Sequence, residues 1–176
     1  MPSMKPAISP AFLRRAALFA GLWTAVFAVD RVVKLWAEHT LRGLGPQRII
    51  PFLLEFRYSQ NRGMALGLLS GNVLATILLP LIALLIWFIV FRKYRVTLFT
   101  IAASALMLGG FAGNFLDRLL FRYVVDMIYF PFLPWFICNV ADIGICAGVG
   151  MMGVSLIFRP QDWREKHEQE NGDSGQ

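Results

Sequence analysis

Apolar residues along this chain come in four long runs, separated by stretches where polar and apolar positions mix. The first, AALFAGLWTAVFAV at 16–29, continues through DRVVKLW to Trp36. The second is VLATILLPLIALLIWFIVF at 73–91, followed by the tight basic loop RKYR at 92–95. The third is VTLFTIAASALMLGGFAGNFL at 96–116, and the fourth is WFICNVADIGICAGVGMMGVSLIF at 135–158. Each is close to the ~20 residues a helix needs to cross ~30 Å of hydrocarbon. The pattern predicts an all-α membrane protein of four transmembrane helices, at about 16–36, 73–91, 96–116 and 135–158, forming one domain over 1–158. The first run also resembles the apolar region of a signal peptide. It runs on to Trp36 without a small-x-small cleavage site, and three more runs follow, so it is read as an uncleaved first span.

Between the spans the period changes. In LEFRYSQ at 54–60, Leu54, Phe56 and Tyr58 alternate with Glu55, Arg57 and Ser59, which is the pattern of a half-buried strand. Asn61-Arg62-Gly63 then reads as a turn, and a small extracytoplasmic β-sheet is expected. The second connecting segment, 117–134, leads into YFPFLPWF at 129–136, whose aromatics and prolines suit an interfacial loop. The tail from Arg159 to Gln176 is charged, lacks apolar periodicity and is expected to be disordered. Four spans put both termini on one side. The short RKYR loop carries the clearest orientation signal, so that side is assigned to the cytoplasm.

Composition agrees: 57% of residues are hydrophobic and 16% charged, too apolar for an ordinary soluble fold. The formal charge of +6 is that of basic residues flanking spans. No Lys/Arg-rich run with interleaved aromatics argues for nucleic acid. Cys138 and Cys146 stand eight positions apart on one expected helix, too far for a disulfide. His39 and His167 are isolated, so no metal and no cofactor is expected.

The polar residues near the spans are harder to dismiss. Asp30, Arg31 and Lys34 end the first span, Asn114, Asp117 and Arg118 end the third, Asp126 lies in the loop, and Asn139 and Asp142 open the fourth. A charge at a helix centre costs about 2.5–3.5 kcal/mol on insertion scales, so Asp142 should have a task. By this topology all four carboxylates converge at one membrane face. Asn114, Asp117 and Arg118 share a helix face, as do Asn139 and Asp142, and Asp30–Lys34 is an i, i+4 pair of favourable order. An acid at a helix C-terminus opposes the dipole, and Arg118 is the expected compensation for Asp117. Gly109 and Gly113, and the glycines at 144, 148, 150 and 153, read as close helix packing.

Ser104 and Ser155 lie within spans with no base placed for them. Lys34 is the only lysine on the side of Ser59 and Ser70, so a Ser/Lys pair lacks support. Two close carboxylates need no other partner. They cannot both ionise at neutral pH, so one takes a proton from water while the other donates to a carbonyl oxygen.

At these residues the sequence resembles lipoprotein signal peptidase (signal peptidase II), the bacterial inner-membrane aspartic protease family. The likeness is carried by DRVVK at 30–34, NRGMALGLL at 61–69, GNFLDR at 113–118, VVD at 124–126 and NVAD at 139–142, in that spacing. The resemblance implies that Asp126 and Asp142 are the catalytic aspartates. It implies that Asn61, Asn114, Asp117, Arg118 and Asn139 are polar active-site residues, that Asp30 is the acid ending the first span, and that Lys34 and Gly63 support the site. It further implies cleavage of diacylglyceryl-modified prolipoproteins just before the lipidated cysteine, inhibition by globomycin, and a site at the outer face of the inner membrane; contact with membrane lipids and a monomer are expected beside it. The chain departs from the family pattern at Arg122, where glycine is usual, at Met127 and Cys138, where phenylalanine is usual, and in NRGMALG. These changes touch the substrate-lining shell and not the carboxylates. The rival readings are a proton-coupled transporter, whose acids tend to lie at mid-bilayer, and an inactive lipoprotein-binding relative.

Overall fold

The structure, a computed structural model, describes residues 9–63, 72–94 and 96–164. Helix α1 spans Pro10–Thr40, strands β1 and β2 span Gln47–Ile50 and Leu54–Asn61, and helices α2 and α3 span Val73–Phe91 and Leu98–Phe121. Strands β3 and β4 span Val124–Tyr129 and Ile137–Cys138, helix α4 spans Val140–Phe158, and a 3-10 turn covers Pro160–Trp163. The four helices overlap the four apolar runs of the sequence. Among the described residues α1, α3 and α4 are long and apolar enough to cross a membrane, and α2 is a further apolar helix of 19 residues.

Helix α1 starts where Ser9 accepts the Phe12 amide and Pro10 takes a first-turn position, where no N–H is needed. Its 31 residues extend about 46 Å, more than the hydrocarbon requires. The surplus supports the sheet: Ala37 and Leu41 pack with Val125 and Met127, flanked by Phe56 and Tyr58. The Tyr58 hydroxyl donates to Glu38 at 2.5 Å and locks β2 to the helix end.

The sheet has the order β1-β2-β3-β4, antiparallel throughout. Ser59 faces Asp126 and Asn61 faces Val124 across β2–β3. Alternation along β3 sends Val125 and Met127 to the α1 side and Asp126 to the other.

Several boundaries differ from the expectation. Helix α3 runs past Asp117 and Arg118 to Phe121 instead of ending at 116. The segment expected as loop contains β3. The fourth span begins at Val140, because 137–138 form β4 and Asn139 caps the helix. Cys138 therefore lies on a strand and Cys146 on a helix, not both on one helix. The first residues of the expected tail form the 3-10 turn, with Asp162 buried against Ser155 and Arg159, and residues 165–176 lie outside the described residues. So do residues 64–69 of the 61–69 motif.

Glycines set the helix spacing. A Cβ on Gly110 would lie 2.2 Å from the Ala141 carbonyl, one on Gly148 2.5 Å from the Ala103 carbonyl, and one on Gly113 2.4 Å from Asp30 Oδ2. Gly150 and Gly153 have nothing within 4 Å, so the close-packing reading fails for those two.

Candidate active site

The site forms where α3 ends, α4 begins and β3 passes between them. Asn139 is the N-cap of α4. Its side-chain Oδ1 accepts from the Asp142 backbone amide at 2.9 Å, and Asp142 Oδ2 accepts from the Asn139 backbone amide at 3.2 Å, a reciprocal capping box. That cap fixes the Asp142 side chain and leaves the side-chain NH₂ group of Asn139 to point away. It donates to Asp126 Oδ1 at 2.6 Å and to Asn114 Oδ1 at 3.1 Å.

Asp126 is 2% exposed, and both its oxygens accept amide protons, Oδ2 from Asn61 at 3.0 Å. Asn61 is oriented by its own turn, in which the Gly63 amide donates to Asn61 Oδ1 at 2.9 Å. Asp142 Oδ1 accepts from Asn114 Nδ2 at 2.8 Å. Two asparagines, Asn114 and Asn139, thus bridge the carboxylates. Burial, then the Asp142 charge, push the Asp126 carboxyl up to about 7, against the pull of the Asn61 and Asn139 bonds. Burial and the same two carboxylates push the Cys138 thiol up to about 12, so it stays neutral and is no nucleophile. Ser104 donates to the Thr100 carbonyl and Ser155 to Asp162, so neither hydroxyl serves the site.

Behind the carboxylates lies a buried ionic layer. The Lys34 ammonium, 3% exposed, reaches Asp30 and Asp117 at 2.9 Å and Asn114 Oδ1 at 2.8 Å, matching three donors with three acceptors. Asp30 Oδ1 accepts the Ala141 amide at 2.9 Å, one of the orphan donors at the start of α4. Asp117 is held by Arg31 at 2.7 Å and by Lys34, and it accepts weakly from the Val125 amide. The expected Asp117–Arg118 compensation does not form. Arg118 instead donates to the Gly63 carbonyl at 3.1 Å and the Asn114 carbonyl at 3.4 Å, and its charge faces Asp142 and Asp126.

All ten residues singled out in the sequence, Asp30, Lys34, Asn61, Gly63, Asn114, Asp117, Arg118, Asp126, Asn139 and Asp142, join this one network. Sequence reasoning placed Arg31 at the span end but gave it no role in the site. Its position one residue after Asp30 carried no sign that it would reach Asp117, 86 positions on.

Known proteins resemble the chain over most of its length. A lipoprotein signal peptidase of Chlorobaculum tepidum is 36% identical over 164 residues, covering 86% of this chain and 99% of the relative. One of Lactobacillus johnsonii is 34% identical over 146 residues, covering 82% and 94%. A solved bacterial membrane enzyme, determined by the in meso method at 2.3 Å, superposes with a TM-score of 0.71 at 29% identity, covering 84% of this chain and 92% of its own. The Signal peptidase (SPase) II family profile matches residues 22–158, which include every residue of the network. The chain belongs to the signal peptidase II family and is a membrane-embedded peptidase.

Proposed function

We propose that this peptidase removes the signal peptides of diacylglyceryl-modified prolipoproteins, just before the lipidated cysteine, as an aspartic endopeptidase with Asp126 and Asp142 as its catalytic pair. The observation that carries the reading is the pair itself: two carboxylates bridged by Asn114 and Asn139, with no competing nucleophile in the network. Asp126, pushed up to about 7, holds the shared proton near neutrality. Asp142 stands in the first turn of α4, facing the Arg118 charge, and serves as the base. Water attacks the scissile carbonyl carbon and gives its proton to Asp142, while Asp126 protonates the carbonyl oxygen. Collapse of the gem-diol breaks the C–N bond and returns a proton to the departing amine.

The pair lies where α4 begins, so a substrate anchored in the bilayer is delivered at the right depth. Each buried CH₂ of a diacylglyceryl group contributes about 0.8 kcal/mol of anchoring. The basic loop at 92–95 and both termini are assigned to the cytoplasm and the site to the outer face of a bacterial inner membrane. Globomycin-type inhibition and a monomeric state belong to the same reading. The test is mass analysis of products from matched peptides, with and without the diacylglyceryl cysteine, incubated with wild type, Asp126→Asn and Asp142→Asn. Cleavage before the cysteine only by wild type, and only of the lipidated peptide, is expected. Near wild-type turnover by either variant would remove the dyad, and equal rates on both peptides would remove the lipid requirement.

A further inference from the structure

The sheet that carries Asp126 exposes an apolar end that the proposed reaction does not use. Glu55 pairs with Tyr129 across β2–β3, and Tyr129 pairs with Ile137 across β3–β4. This register puts the β1–β2 turn and the β3–β4 turn side by side at the same end of the sheet. Both turns present large apolar side chains. Phe52 is 92% exposed and holds φ at 61°, a left-handed conformation that a bulky side chain avoids. Ile49, Ile50 and Leu53 flank it, and Phe132 and Trp135 project from the neighbouring turn. Just behind them Arg57 stacks over Tyr129 at 3.6 Å and pairs with Glu55, and the exposed Arg48 lies beside the same carboxylate. The end is thus apolar at its edge, aromatic and proline-bounded in its turns, and basic behind.

We propose that these two turns form a membrane-inserting tip, seated in the leaflet from which α4 starts. Continuity argues for lipid over any other partner. Trp135 is four residues from Asn139, the cap of a membrane-spanning helix, so this side of the β3–β4 turn is tethered within about 14 Å of that helix start. Apolar aromatics at that level belong in the interfacial region, and the two guanidiniums match anionic headgroups. Seated this way, the tip would hold the sheet at a fixed depth relative to the lipid anchor of a bound substrate. The proposal needs only the membrane-embedded family fold, not the dyad or the sidedness.

The test uses the full chain with Cys146→Ser, where the buried Cys138 thiol stays unlabelled. Nitroxides are placed at Phe52→Cys, Trp135→Cys and, as a control on exposed β1, Gln47→Cys, in phosphatidylethanolamine/phosphatidylglycerol vesicles. Power saturation compares collision with oxygen, which concentrates in hydrocarbon, against a water-soluble nickel chelate. A several-fold preference for oxygen at Phe52, relative to Gln47, is expected. Preference for the nickel chelate at Phe52 overturns the proposal. So does a label that becomes shielded only when a prolipoprotein is added, which would assign the tip to substrate. Labels that report insertion in variants also carrying Asp126→Asn would keep the tip and the catalytic reading separate.

Discussion

The Lys34 ammonium donates to the side-chain Oδ1 of Asn114 at 2.8 Å, joining α1 to α3 beneath the carboxylate pair. That bond decides which way the Asn114 amide faces. With its oxygen held by Lys34 and Asn139, its NH₂ group must point at Asp142. Reversal would aim a carbonyl at a carboxylate.

Lys34→Met keeps the volume and removes the charge. It leaves Asp30 and Asp117 with Arg31 alone, and removing one partner of a buried pair costs roughly 3–5 kcal/mol. The expected outcome is a clearly lower unfolding temperature in detergent and at least a tenfold loss of prolipoprotein cleavage. A wild-type melt with full cleavage would show that the ammonium neither holds the layer nor orients Asn114.

Asp126 should make stability and activity depend on pH in a defined direction. Its folded carboxyl titrates at about 7 and the unfolded one near 3.8. Between those values the folded state binds the extra proton. The stability this group contributes is therefore complete below the unfolded value and lost as pH rises through about 7. Wild type should melt progressively lower from pH 5 to pH 8, and Asp126→Asn should show a flatter profile over that range. Cleavage should fall on the alkaline side as the shared proton is lost. Parallel melting profiles for the two proteins would place the titration elsewhere.

Arg31 and Arg118 should separate stability from activity. Arg31 makes a 2.7 Å ion pair with the buried Asp117, whereas Arg118 bonds two backbone carbonyls and faces the carboxylate pair. Arg31→Ala should cost about 3 kcal/mol, the low end for a broken buried pair because Lys34 remains. Arg118→Ala should cost about 1–2 kcal/mol, as for lost hydrogen bonds, yet lower turnover more. Thermal melts beside cleavage rates decide it, and the reverse ranking would restore Arg118 as the partner of Asp117.

What the sequence disclosed follows from what leaves a local mark. Four apolar runs mark the helices because crossing hydrocarbon demands length. The i, i+3 spacings of Asn114 with Asp117 and Asn139 with Asp142 were visible because a helix puts such positions on one face. Strand β3 was hidden. VVDMIY is buried along nearly its whole length and so lacks the alternation that marks a half-buried strand. The extension of α3 through Asp117 was hidden too, because the cations that neutralise it come from α1. Gly110 and Gly150 look alike in sequence, and only the approach of the Ala141 carbonyl tells them apart.

Arg122 ends α3 in the left-handed region, at φ 63°, with its amide bonded to the Arg118 carbonyl at 3.1 Å. This is the helix-terminating position that glycine fills without strain. For a residue with a Cβ the conformation costs about 1–2 kcal/mol, part of which glycine returns through its greater freedom when unfolded. The Arg122 side chain is exposed and has no ion pair among the described residues, so its loss removes little. Arg122→Gly should therefore raise stability by up to about 1 kcal/mol, read as a higher unfolding temperature in detergent. Cleavage should stay at the wild-type rate, since the strand entry at Val124 and the position of Asp126 are unchanged. A lower melting temperature would mean that the arginine stem, not the backbone, sets the stability of this turn.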